Sequence, residues 1–148
     1  MTQSSHRMKH VGTSKTTLYV PRGIVWSYVA QFENLNKWWS FLQFSDESVL
    51  PESGKEYEAL VNRGTNEGSF LAKVLVEELD PGNKITFHLP LPYSRYVFIL
   101  EDKPPGCRVW ASYYSNTNSW IDRASHWLHW DPSLAWSPLS KLRRLIRG

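Results

Sequence analysis

A chain of 148 residues, 41% hydrophobic and 21% charged, is long enough for one domain with a substantial core. Its single cysteine, Cys107, excludes a disulfide framework within the chain, and no apolar run reaches the roughly 18 residues of a transmembrane helix. The net charge of +3 is too small to imply a polyanionic partner by itself.

Residues 1–12 are polar and lack an apolar signal core, so they are expected to form a disordered tail of a cytoplasmic protein. Residues 13–148 are expected to form the domain. Thr16, Leu18 and Val20 alternate with Thr17 and Tyr19, which predicts a strand over 13–20. Pro21 then suits the first position of a helix, where its missing N–H is not needed. Val25, Trp26, Val29 and Phe32 recur at helical spacing, and Trp26 is expected to be buried between this helix and a sheet. Asn34-Leu35-Asn36 is expected to interrupt the helix, and Lys37-Trp38-Trp39 to start a second short one ending near Leu42.

From Phe44 onward the period is two. Strands are expected over 46–50, 55–62, 69–79, 84–89, 93–101 and 108–115. The breaks between them carry turn chemistry: Gly64 and Gly68 in one loop, Asp80-Pro81-Gly82-Asn83 in another, then Pro90 and Pro92, then Lys103-Pro104-Pro105-Gly106. Residues 120–130 look helical. Asp131-Pro132 and Ser137-Pro138 each resemble a cap followed by a first helical position, so the C-terminal helix is either kinked or broken, with a second piece near 138–147. In that piece Leu139, Leu142, Leu145 and Ile146 form an apolar stripe expected to face the sheet. Lys141, Arg143, Arg144 and Arg147 lie largely opposite. Two short helices between a first strand and a meander of further strands describe an α+β domain with an antiparallel sheet.

The segment from Pro21 through Val25, Trp26, Val29, Asn34 and Trp38 or Trp39 resembles the signature of the START-like, or Bet v 1-like, superfamily (SRPBCC), which includes polyketide cyclases and lipid-transfer domains. Glu78 to Phe87, with its Asp80-Pro81 turn, and Pro105-Gly106-Cys107-Arg108-Val109 resemble two further hairpins of that superfamily. The likeness extends over roughly 13–120. It implies a helix-grip fold: a curved seven-stranded antiparallel sheet with two short helices after strand 1, gripping a C-terminal helix. It also implies binding of a lipid, polyketide or isoprenoid-like molecule between sheet and helix.

Alternation places Tyr96 and Phe98 on one face of their strand, and Val109, Ala111 and Tyr113 on one face of the next. If the two faces align across the hairpin, large side chains converge on one concave surface, and Ala111 leaves room among them. Tyr57, His126 and Trp127 complete the expected lining of a ligand cavity, in which polar tips orient an apolar ligand. Eight tryptophans suit either such a pocket or a thick core. His126-x-x-His129 approaches metal-ligand spacing but lacks a third ligand, so two packed histidines are expected instead of a metal. There is no G-x-S-x-G, no P-loop and no G-x-G-x-x-G, and no cofactor is expected. No nucleic-acid motif accompanies the basic ends. Three functions remain open: binding of a hydrophobic small molecule, a cyclase or aromatase in which Tyr96, Tyr113, Arg95, Arg108 or His126 moves protons if it points inward, and an interaction domain whose basic C-terminal helix meets a membrane surface or a partner protein.

Overall fold

The computed structural model describes residues 9–62, 69–89, 94–115 and 138–147. Seven strands form one antiparallel sheet in the order β1-β7-β6-β5-β4-β3-β2, curled into a half-barrel. The strands are β1 (Lys9–Leu18), β2 (Leu42–Phe44), β3 (Glu56–Asn62), β4 (Ser69–Asp80), β5 (Lys84–Leu89), β6 (Ser94–Lys103) and β7 (Gly106–Ser115). Two short helices, α1 (Arg22–Ala30) and α2 (Phe32–Trp38), follow β1, and α3 (Pro138–Arg147) closes the described chain. This is the α+β helix-grip architecture.

The meander follows from local chemistry. Gly82 takes a φ of +82°, which its missing side chain permits, and completes the turn between β4 and β5. Gly106 is required for a different reason. A Cβ there would overlap the backbone carbonyl oxygen of Leu18, because the end of β1 passes directly over the start of β7. Inward-facing Ile85, Phe87, Leu89, Tyr96, Phe98, Leu100, Val109, Ala111 and Tyr113 are all buried, as alternation dictates.

Several elements depart from the pattern in the sequence. β1 begins at Lys9 rather than at 13, so the last part of the expected tail belongs to the sheet. Pro21 caps α1 instead of occupying its first turn, and its carbonyl accepts from the amides of Ile24 and Val25. The helical break falls at Gln31, and Asn34-Leu35-Asn36 lies inside α2. Both asparagines spend their side chains elsewhere, which is why they do not compete with the helix. Asn34 Nδ2 donates to the Ser27 carbonyl at 3.0 Å. Asn36 grips the backbone of Phe44, its Oδ1 accepting from the amide at 2.7 Å and its Nδ2 donating to the carbonyl at 2.9 Å. That grip creates the second strand at Leu42–Phe44, and 46–50, expected to be a strand, is a turn held by Asp46 and Ser48.

Trp26 is only half-buried; among the described residues the fully enclosed tryptophans are Trp38 and Trp39. Trp38 Nε1 donates to the Tyr28 carbonyl at 2.8 Å and so ties α2 to α1. Arg22 fastens the start of α1 to two hairpin turns, pairing with Asp102 at 3.0 Å and donating to the Gly82 carbonyl and to Asn83 Oδ1. On α3, Leu139 and Leu142 are buried and Ile146 is half-buried, but Leu145 is exposed beside the cations. The expected stripe is therefore narrower than its sequence.

Candidate functional site

The hairpin of β6 and β7 aligns as alternation requires: Tyr96 faces Tyr113, Phe98 faces Ala111, and Leu100 faces Val109. All lie on the concave side of the sheet and all are buried. Their neighbours there come from α2 and the segment after it, which the sequence pattern left unassigned to the site. Trp39 packs edge-on against Phe98 with ring centres 5.0 Å apart and against Tyr96 at 5.4 Å. Phe41 meets Tyr96 at 5.1 Å. Tyr96 and Tyr113 stack at 4.9 Å with rings inclined by 14°. The stacked and edge-to-face geometries are those the ring quadrupole favours.

Tyr57 belongs to the other end of this aromatic series. It meets Phe32 edge-on at 5.0 Å, Phe32 stacks on Phe44 at 4.0 Å, and Phe44 reaches Phe87 at 5.8 Å. Its hydroxyl accepts from the Glu52 amide at 2.8 Å, anchoring the segment before β3. Tyr57 also lines a cleft of about 260 Å³ with Phe44 and Val49, rimmed by Asp46, Glu56 and Glu58. It is inward-facing but does not converge with Tyr96 and Tyr113. His126 and Trp127, the expected roof, lie outside the described residues, as do His129 and the whole of 116–137.

The polar atoms in this apolar surface matter more than their number suggests. Trp39 Nε1 is buried with no hydrogen-bond partner among the described residues. The Tyr96 hydroxyl is also buried; Ser94 and Tyr113 lie close enough to influence its ionisation, yet it makes no hydrogen bond of regular geometry. Burial, and then the neighbouring Tyr113, pushes the Tyr96 phenol well above its ordinary range. The group is thus a neutral donor at any physiological pH. Cys107 is buried at the start of β7, and burial raises its thiol, the nearby Arg22 acting weakly in the other direction. It has the character of a packed thiol and not of a nucleophile.

Arg95 and Arg108 face the opposite side of the sheet. Arg95 forms a two-pronged pair with Glu77 at 2.7 and 3.1 Å, and Arg108 lies over the Trp110 ring at 5.8 Å. Neither can move protons on the concave side.

No family model and no curated protein matches the chain. Solved structures do. Protein NE0264 of Nitrosomonas europaea superposes with a TM-score of 0.65 at 20% identity, covering 92% of this chain and 93% of its own. The solution structure of KanY gives 0.69 at 10% identity, over 95% and 100%. DynU16, from the dynemicin biosynthetic locus, gives 0.54 at 16% identity over 83% of this chain, which spans 45% of that longer protein. At such identities these likenesses establish the fold, a curled antiparallel sheet consistent with the Bet v 1-like kind.

Proposed function

We propose that the protein binds a hydrophobic small molecule, of lipid, polyketide or isoprenoid character, on the concave face of the sheet. One observation carries this reading: two hydrogen-bonding groups, the Tyr96 hydroxyl and the Trp39 indole N–H, are buried in an aromatic wall without regular partners among the described residues. Buried donors are nearly always paired, and leaving one unpaired is costly. An apolar ligand bearing a hydroxyl or carbonyl would meet that need, and the rings would supply the rest of the affinity. The origin of DynU16 in a biosynthetic locus agrees with a small-molecule ligand.

Binding is favoured over turnover. A phenol held well above its usual range is a poor general base at neutral pH, and both arginines once available to a cyclase face away. Membrane insertion through α3 is disfavoured because Leu139 and Leu142 are already committed to the core. Native mass spectrometry of the full chain, with and without palmitate, farnesol and emodin, tests the proposal. A retained one-to-one complex, accompanied by a change in tryptophan fluorescence, is expected for at least one of these or for a co-purified molecule. No retained mass and no fluorescence change would remove the binding reading.

A further inference from the structure

The charge of the chain is placed unevenly. The chain carries +3 in all and α3 alone carries +4, from Lys141, Arg143, Arg144 and Arg147 with no acidic residue, so everything outside α3 sums to −1. Helical spacing sorts these residues into two faces. Leu139 and Leu142 are buried and Ile146 is half-buried, each about one turn from the next, and α3 packs against β1 and α2. Lys141, Arg143, Arg144 and Leu145 are exposed on the remaining arc. A helix of 10 residues is roughly 15 Å long, so the cations share one short ridge.

Two features distinguish this ridge from an ordinary solvated helix. First, its cations are uncompensated. Arg22, Lys55, Lys84, Arg95 and Arg108 each lie within 4.0 Å of a carboxylate, whereas no ion pair among the described residues reaches Lys141, Arg143 or Arg144. The helix dipole favours cations only in the last turn, so it accounts for Arg144 and Arg147 but not for Lys141. Arg143 and Arg147 are like charges at i and i+4, a spacing that weakens a helix and calls for another reason. Second, an apolar side chain stands among the cations: Leu145 is 37% exposed.

We infer that the outer face of α3 docks the protein on a bilayer rich in anionic lipid, with the helix lying on the surface and not inserted. The charge asymmetry turns α3 toward a negative surface. Each Lys or Arg close to an anionic leaflet strengthens the attraction about fivefold. Leu145 selects a bilayer over other polyanions. At the headgroup boundary its side chain leaves water, whereas against the phosphates of a nucleic acid it meets only charge. Leu139 and Leu142 stay in the core, so the helix remains outside the hydrocarbon, and attachment is weak, reversible and sensitive to salt. The docking face owes nothing to the concave site and stands or falls apart from it.

The test is co-sedimentation of the full chain with vesicles of phosphatidylcholine alone and of phosphatidylcholine mixed with phosphatidylglycerol. At low salt, about 50 mM, the protein should sediment with the anionic vesicles and not with the neutral ones, and about 0.5 M salt should release it. The double substitution Lys141→Gln with Arg144→Gln removes two exposed charges, should melt like the parent, and should weaken partitioning roughly 25-fold. Leu145→Ser should weaken it less and leave the salt dependence as it was; this second variant and the parent's salt dependence decide the matter even if the double substitution disturbs the fold. Farnesol binding should be unchanged in both. The inference is overturned if anionic vesicles take up no more protein than neutral ones at low salt, if the folded double variant partitions like the parent, or if Leu145→Ser has no effect. It is also overturned if a short DNA duplex or polyglutamate, at equal concentration of charge, holds the protein more tightly than the vesicles do.

Discussion

Tyr96→Phe separates a structural hydroxyl from a ligand-binding one. The substitution removes one oxygen from a residue that is 2% exposed and leaves the ring stack with Tyr113 and the edge contact with Trp39 in place. If the hydroxyl were paired within the fold, its loss would cost about 1 kcal/mol or more. It makes no regular hydrogen bond, so its removal relieves an uncompensated burial and stability should stay within about 1 kcal/mol of the parent, on the stabilising side. For a chain of this size that is a rise in Tm of up to about 4 °C. Ligand affinity should move the other way. Losing one hydrogen bond of about 0.5–1.5 kcal/mol to a ligand carbonyl or hydroxyl weakens binding roughly 3- to 10-fold. Thermal melts followed by circular dichroism and a fluorescence titration with farnesol measure the two effects on one preparation. A Tm lowered by more than about 5 °C, or an affinity equal to the parent's, would show that the hydroxyl serves the fold and refute the argument from its burial.

Gly106→Ala should destabilise by about 1–3 kcal/mol or more, as overpacking against a backbone atom does, because its Cβ meets the Leu18 carbonyl and not a side chain that can turn away. Chemical denaturation checks this, and an unchanged midpoint would mean that β1 can shift. Asn36→Leu should cost about 2 kcal/mol or more, since it strands both the amide and the carbonyl of Phe44; Asn36→Asp, which keeps only the acceptor, should fall between the two in the same measurement. The alkaline limb of stability should also change in Tyr96→Phe. A phenol whose folded pKa lies well above its unfolded value near 10.0 adds stability that is fully present below that value and lost as pH rises through the folded one. The variant lacks this loss, so its unfolding midpoint between about pH 10 and 12 should fall less steeply than the parent's, and coincident curves would contradict the buried assignment.

The meander was legible because its determinants are local. Asp80-Pro81-Gly82-Asn83 and Lys103-Pro104-Pro105-Gly106 encode turns in a few residues, and alternation placed Tyr96, Phe98, Val109, Ala111 and Tyr113 on one face. What escaped depends on partners distant in sequence. Asn34 and Asn36 look like helix breakers until their bonds to Ser27 and Phe44 are known. β2 has only three residues and owes its place to Asn36, so no periodic signal could find it. Trp26 and Trp38 have similar local settings, yet only the second is enclosed, because α2 and not α1 carries its aromatic residues into the curl of the sheet. Arg95 and Arg108 fell on the convex side by the same alternation that placed the tyrosines within.

The distribution of rings restricts where a ligand on the concave side could sit. From Tyr57 through Phe32, Phe44, Phe87, Trp39 and Phe98 the aromatic contacts are continuous, with ring centres between 4.0 and 5.8 Å. Such close contact leaves no room for a ligand between those rings, so the part of the curl over β3 to β5 acts as core. The buried donors without regular partners, Trp39 Nε1 and the Tyr96 hydroxyl, lie at the margin of that core, where it gives way to Ala111 and Tyr113 on β7. Ala111, the smallest side chain on this face of β6 and β7, stands opposite Phe98. A bound molecule would therefore lie over β6 and β7, with its polar end toward Tyr96 and its apolar body over Ala111. Ala111→Leu probes this placement: an isobutyl group there should block farnesol binding while adding buried apolar surface. A variant that melts at or above the parent's temperature and no longer binds supports the placement, whereas one that binds unchanged would move the ligand elsewhere on the concave face.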